Sequence, residues 1–166
     1  IEDTRETPFY TNGRQVNHAS VGRGKGCLIW SQEEQKCLTV CKEAFQAVSA
    51  FVMDLQLTVI YISSEAKSHL SDVTKDLKEV IDVNVPQLIL GDFNFHHEET
   101  NCLTTFLKGL GLFQVVSIPT HKAGRTLDQV YASRDVCAKL DINVQFKYYS
   151  DHAALQIKLK KITKFY

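Results

Sequence analysis

Leu88-Ile89-Leu90-Gly91-Asp92-Phe93-Asn94 is an apolar strand that runs straight into polar chemistry. The strand ends on a glycine, and the next positions set a carboxylate and an amide two residues apart. In extended chain that spacing puts Asp92 and Asn94 on the same side. An acid able to act as base or metal ligand, beside a neutral donor, suits hydrolysis of a phosphate ester. Taken alone, Gly-Asp-x-Asn reads equally as a turn closed by an Asx hydrogen bond.

Working outward, the run 87–90 enters this stretch as a short strand. Before it, Leu70, Val73, Leu77 and Val80 recur at spacings of three and four, which predicts an amphipathic helix over 65–81. Ser63-Ser64 offers its N-cap, Glu65 lies in its first turn, and Asn84-Val85-Pro86 ends it. The nearly continuous apolar run 57–62 predicts a strand covered on both faces. Upstream, 27–30, 37–41 and 45–53 are β-prone, and the last alternates as a half-buried antiparallel strand should. Residues 1–25 are polar and turn-rich, with Asn12-Gly13 as a hairpin turn. Downstream, a second helix fits 98–110, and strands fit 113–116, 127–132, 142–149 and 153–159. Strands with two helices inserted make one α+β, mixed-sheet domain.

The chain has 166 residues, 44% of them hydrophobic and 23% charged, enough for one domain with a real core. No stretch approaches the roughly 18 apolar residues of a membrane span, so the expectation is a soluble protein with no membrane partner. Nineteen basic and nineteen acidic side chains cancel. That argues against a protein that merely coats nucleic acid, and leaves room for an enzyme that touches a short stretch of backbone. The five cysteines form no CxxC pair. Cys37 and Cys41 are four apart, but no second pair follows at zinc-like spacing, so the reading is buried small hydrophobes in a reducing compartment. The start, Ile1-Glu2-Asp3-Thr4-Arg5, has neither a secretory signal nor an initiator Met, which reads as a processed chain or a fragment.

Two further strand-end clusters carry chemistry. Thr120-His121-Lys122-Ala123-Gly124-Arg125-Thr126-Leu127-Asp128-Gln129-Val130-Tyr131 is a basic, Gly-containing loop running into a strand that starts on a carboxylate. Such a loop can hold a phosphate, and the acid can orient a histidine from a neighbouring strand. A solvated hairpin loop with a surface Asp128 fits equally. Tyr148-Tyr149-Ser150-Asp151-His152-Ala153 sets two titratable groups between apolar strands, where packing explains them poorly, although a lone Asp-His is also often structural.

Gly-Asp-Phe-Asn, Leu-Asp-Gln-Val-Tyr and Ser-Asp-His occur in this order, with Asn94, Asp128 and Asp151 spaced by 34 and 23 residues. In these motifs the sequence resembles the endonuclease/exonuclease/phosphatase superfamily, which includes exonuclease III, abasic-site endonucleases and DNase I. The resemblance runs from about Gly22 to Leu159. Thr-His-x-x-Gly-x-x-Leu-Asp is most similar to the endonuclease domains of retrotransposon reverse transcriptases, as is the entry Gly22-Arg23-Gly24-Lys25-Gly26-Cys27-Leu28-Ile29.

The resemblance implies a four-layer α/β/β/α sandwich of two mixed sheets, DNase I-like, with one cleft at its strand ends. Residues 1–166 would form a single domain, roughly the C-terminal two-thirds of a complete one. It implies that Asp92 activates water, Asn94 hydrogen-bonds the scissile phosphate, and His152 binds or protonates a phosphate oxygen while Asp128 orients it. Asp151 would help hold Mg²⁺ or Mn²⁺, hard ions that prefer carboxylate oxygen. Tyr61 matches a family tyrosine near the phosphate, or is simply a sheet-edge tyrosine. The reaction implied is attack of water on a phosphodiester, leaving a 3′-hydroxyl and a 5′-phosphate. DNA would be the substrate, in an intracellular, nuclear setting, with a reverse transcriptase as a possible fusion partner. His121, Lys122 and Arg125 are candidates for backbone contacts; His96 and His97 read as solvent-exposed loop histidines.

The front of the chain departs from the pattern. Family domains begin with a strand ending in Asn, then a strand with a metal-binding Glu before Thr. Glu6-Thr7 offers that dipeptide without an apolar strand before it, so Glu6 is a weak metal candidate. Two other readings stand: a phosphatase or lipid phosphodiesterase of the superfamily, and a non-catalytic remnant that binds nucleic acid or a partner.

Overall fold

The computed structural model describes residues 16–19, 26–30, 37–52 and 54–160. Its centre is a six-stranded sheet of order β3-β4-β5-β6-β8-β7. The strands are β3 (Cys37–Cys41), β4 (Phe45–Val52), β5 (Leu55–Ile62), β6 (Gln87–Asp92), β7 (Leu112–Gln114) and β8 (Asp128–Ser133). Every pairing is antiparallel except β5 with β6, and the chain crosses between these two through a helical segment. That crossover is a 3-10 helix, Ser64–His69, continued by α1 (Leu70–Val80).

On α1 the predicted stripe of Leu70, Val73, Leu77 and Val80 is buried. With α2 (Cys102–Gly109) it covers one face of the sheet, where Phe45, Ile60, Ile62, Ile89, Phe93, Phe95, Leu103, Leu107 and Tyr131 make the main core. The expected helix over 65–81 begins as a 3-10 turn because Ser63 makes no side-chain cap. The i→i+3 bond from the Ala66 N–H to the Ser63 carbonyl (3.0 Å) serves instead.

The opposite face carries two antiparallel pairs. β1 (Val16–Ala19) pairs with β2 (Cys27–Trp30), and β9 (Leu140–Phe146) pairs with β10 (Ala153–Leu159). Cys27 and Ile29 pack on Val48 and Ala50. The inward residues of the second pair, Ile142, Val144, Leu155, Ile157 and Leu159, pack on Leu88, Val130 and Ala132. A four-residue helix, α3 (Arg134–Cys137), follows β8 and buries Val136 in the same cluster. Helices, sheet and strand pairs thus form the layers of the expected sandwich; among the described residues no outer helical layer lies beyond β1–β2 and β9–β10.

Several expectations differ in detail: the strand expected over 142–149 is Leu140–Phe146, that over 113–116 is Leu112–Gln114, and the helix α3 is not among those expected. β4 is buried on both faces over most of its length, not half-buried, because β2 covers the face that alternation alone leaves open. α2 starts at Cys102 rather than 98, because Asn101 and Thr104 form a reciprocal capping box. Glu6, Asn12-Gly13 and Gly22–Lys25 lie outside the described residues. Among the described residues no helix is long and apolar enough to cross a membrane.

At the entry of β6, the end away from Asp92, a buried amide network ties the elements together. The Gln56 Nε2 donates to Ser49 Oγ (2.7 Å) and the Val80 carbonyl (2.6 Å). Its Oε1 accepts from the Asp82 N–H (2.7 Å) and Gln87 Nε2 (3.0 Å). These bonds join β4, β5, the exit of α1 and the start of β6 without a charged side chain.

Candidate active site

β6 brings Asp92 to its end because Gly91 lets the strand approach β5 more closely than a side chain permits. A Cβ on Gly91 would lie 1.8 Å from the Ile60 carbonyl oxygen. In register, Asp92 faces Tyr61 of β5 on one side and Asp128 of β8 on the other. Alternation from Leu88 and Leu90, and from Val130 and Ala132, turns both carboxylates toward the layer that carries β9 and β10.

Asn94 takes a left-handed conformation, φ 55°, which asparagine tolerates better than most residues. Its backbone N–H donates to Asp92 Oδ1 (2.9 Å), and its side-chain Nδ2 donates to the Ile62 carbonyl (2.7 Å) and Asp92 Oδ2 (3.2 Å). Both oxygens of Asp92 are therefore oriented by one residue. Burial pushes the Asp92 carboxyl up and the like charge of Asp128 adds to this, while the Asn94 N–H opposes it; the net shift is upward.

His152 sits one residue before β10 and crosses the layers to Asp128, with 2.8 Å between His152 Nδ1 and Asp128 Oδ2. Nδ1–H is thereby the donor, and Nε2 is the nitrogen left for other partners. Burial lowers the basicity of this imidazole, but the hydrogen bond and charge of Asp128, with Asp92 and Asp151 nearby, outweigh it and leave the pKa raised.

His121 packs edge-to-face on His152, with ring centroids 4.9 Å apart. Its Nδ1 accepts from the Ala123 N–H (3.1 Å), which leaves Nε2 carrying the hydrogen, 3.4 Å from Asp151 Oδ2. Asp151 is exposed, and its backbone environment and His121 hold its carboxyl below the usual range. Lys122 is exposed on the loop. Arg125 is pinned: its Nη2 lies 3.0 Å from Glu99 Oε1, the atom that also accepts from the His96 N–H (2.9 Å) and lies 3.8 Å from Lys67 Nζ.

The structure thus gathers Tyr61, Asp92, Asn94, Asp128, His152, His121 and Asp151 at one end of the sheet. Glu6 is outside the described residues. His96 and His97 are half-buried rather than exposed, and His96 Nδ1 accepts from the Thr126 N–H (3.2 Å), holding the basic loop. Sequence reasoning missed Glu99 and Thr120. Thr120 opens the quoted Thr-His motif, and its complete burial is the property that the motif does not display.

Two groups of metal-ligating atoms lie within 4.8 Å of one another: Asp92, Asp128 and His152, and His121, Asp151 and His152. Among the described residues neither includes a cysteine. With His121 Nε2 protonated and His152 Nδ1 committed, the donors on offer are carboxylate oxygens and the single nitrogen His152 Nε2. That set fits a hard cation, which binds through one or two carboxylates plus water and phosphate oxygen.

No family model and no curated protein matches this sequence. Solved structures do. The endonuclease domain of TRAS1, a telomere-specific non-LTR retrotransposon, matches over 90% of this chain and 80% of its own, at TM-score 0.66 and 15% identity. The 3′ phosphatase NExo from Neisseria, bound to a product DNA hairpin, matches over 88% of this chain and 80% of its own, at TM-score 0.67 and 16% identity. An endonuclease/exonuclease/phosphatase family protein from Leptotrichia buccalis matches over 89% of this chain and 71% of its own, at TM-score 0.53 and 12% identity. On layers, strand order and these likenesses together, the chain has the DNase I-like fold that these structures share.

Proposed function

We propose that the chain is a divalent-metal-dependent phosphodiesterase that nicks DNA, of the retroelement endonuclease type. The observation that carries this reading is the hydrogen-bonded Asp128–His152 pair set beside the oriented carboxylate of Asp92. Structural, non-catalytic needs explain poorly why two carboxylates and an imidazole gather at one end of the sheet.

Asp92, its pKa raised toward that of a useful base, takes a proton from the attacking water. The water oxygen bonds to phosphorus, the P–O3′ bond breaks, and the departing 3′-oxygen takes up a proton from solvent water while Asp92 returns its own to solvent, giving a 3′-hydroxyl and a 5′-phosphate. Asp128 favours the charged form of His152, and in that form His152 would offer Nε2–H to a phosphate oxygen. Asn94 exchanges its longer bond, to Asp92 Oδ2, for a phosphate oxygen when substrate arrives. Tyr61 lies beside Asp92 on the phosphate side, and His121, Lys122 and Arg125 meet the flanking backbone. Asp151, exposed and held ionised, would hold Mg²⁺ or Mn²⁺, with Glu6 the weak second candidate. The ion supplies neutralisation of charge growing on the phosphate.

Supercoiled plasmid with Mg²⁺ or Mn²⁺ tests the proposal. The expected result is nicking that EDTA, Asp92→Ala and His152→Ala each abolish. A folded, monodisperse protein that leaves the plasmid intact, or nicks it equally after Asp92→Ala, refutes it.

A further inference from the structure

Asp128 and His152 are 24 residues apart and come from different layers, the six-stranded sheet and the β9–β10 pair. Their 2.8 Å contact requires the layers to be held in register at this end. Thr120 is hydrogen-bonded to both. Its Oγ1 accepts from the Leu127 N–H (3.0 Å) and the Asp128 N–H (2.9 Å), the entry of β8. Its carbonyl accepts from the Ala153 N–H (2.7 Å), the first residue of β10 and the one after His152.

We propose that Thr120 is a positioning residue for the Asp128–His152 pair, a buried staple that fixes the strand entries from which both side chains project. The side chain is fully buried, so no water can replace Oγ1 as acceptor for two neighbouring N–H groups. The loop between is closed on itself: the Arg125 carbonyl accepts from both the Thr120 N–H (3.0 Å) and the His121 N–H (2.9 Å), and Gly124 turns at φ 77°. This closure brings Leu127 and Asp128 back over the Thr120 hydroxyl. It gives a physical reason for the spacing Thr-His-x-x-Gly-x-x-Leu-Asp: the motif builds one loop whose first residue reads out the position of its last. A hydroxyl that merely stabilised the loop would leave the pair intact when lost.

The proposal rests on the hydrolytic reading only for its effect on rate, since the pair itself is observable in metal-free protein. The probe is the downfield proton NMR resonance of the His152 Nδ1–H, assigned by its loss in His152→Gln. Thr120→Val keeps the shape and removes the acceptor; Thr120→Ser keeps the acceptor. The expected result is loss of the resonance in Thr120→Val and retention in Thr120→Ser. Nicking by Thr120→Val should fall at least tenfold in kcat with KM little changed, on the order of the loss that misplacing a catalytic group by a fraction of an ångström brings. If Thr120→Val fails to fold, Ala153→Pro removes the other half of the staple at a strand's first residue, where proline is accommodated, and the resonance should again disappear. An intact resonance in folded Thr120→Val or Ala153→Pro overturns the proposal, as does its loss in Thr120→Ser. An enzyme that never nicks DNA yet shows this resonance pattern would sink the nuclease reading and leave the staple standing.

Discussion

Gly91→Ala is the perturbation whose size can be worked out most directly. The new methyl would stand 1.8 Å from the Ile60 carbonyl oxygen where real contacts stay beyond 3.0 Å, so β5 and β6 must part by about 1.2 Å. The Ile60 carbonyl carbon at 2.8 Å and nitrogen at 2.9 Å crowd the same methyl, and all three are backbone atoms without a rotamer to change. The φ of 148° adds a conformation that side-chain-bearing residues rarely adopt. Overpacking costs about 1–3 kcal/mol, and a residue held in a sparsely populated backbone region costs about 1–3 kcal/mol more. The sum, roughly 2–6 kcal/mol, should lower the melting temperature of a domain this size by about 5–20 °C. Because Asp92 is the next residue, the same parting displaces the carboxylate, and a shift near 1 Å costs on the order of 100-fold in rate. Circular dichroism melts and plasmid nicking read the two effects separately. A variant that melts within about 2 °C of the parent and nicks as fast would refute the close-approach argument.

In metal-free Asp128→Asn the His152 imidazole loses the negative charge, and with it the charge assistance of its hydrogen bond, that offset its burial, so its titration, followed by NMR, should move to lower pH. The sign follows from the parent: a raised His pKa gives stability present below the unfolded value and lost as pH rises through the folded one, so Asp128→Asn should flatten that loss. A midpoint that stays put would mean Asp128 does not set the charge of His152. Thiol labelling gives an independent check: Cys27, buried with its pKa pushed up to about 12, should resist a disulfide reagent near pH 8 until urea is added. The exposed Cys102 should react in the native protein, and equal rates at the two sites would contradict the packing of β2 on β4.

The strands β2, β3 and β10 are legible in the sequence at their observed bounds, β2 and β3 as short β-prone runs and β10 by its alternation of Leu155, Ile157 and Leu159 with Gln156 and Lys158. Val16-Asn17-His18-Ala19 is not, since its strand character comes from pairing with 27–30 rather than from its own residues. The charged groups of the candidate site are readable only through the three motifs in order and the resemblance they carry, since each cluster alone reads also as a turn or loop, and Asp92 does close an Asx bond with the Asn94 N–H. Their supports are not. Glu98-Glu99-Thr100 looks like the acidic first turn of a helix, yet Glu99 is occupied by Arg125 and the His96 N–H, contacts 26 and three residues away. Thr120 resembles any loop threonine until burial shows that its hydroxyl is the acceptor for two strand-entry amides. The half-buried state of His96 likewise depends on a loop 30 residues further on.

The amide network around Gln56 has a consequence for acid conditions. The groups that join α1, β4, β5 and β6 at one end of the sheet are carboxamides, hydroxyls and backbone, none of which gains or loses a proton in water at ordinary pH. At the other end the side-chain contacts among Asp92, Asp128, His152, His121 and Asp151 involve carboxylates and imidazoles, beside the neutral bonds of Thr120 and Asn94. Acidification is therefore expected to loosen the charged contacts of the site before the bonds around Gln56, a difference that amide hydrogen exchange followed against pH would read.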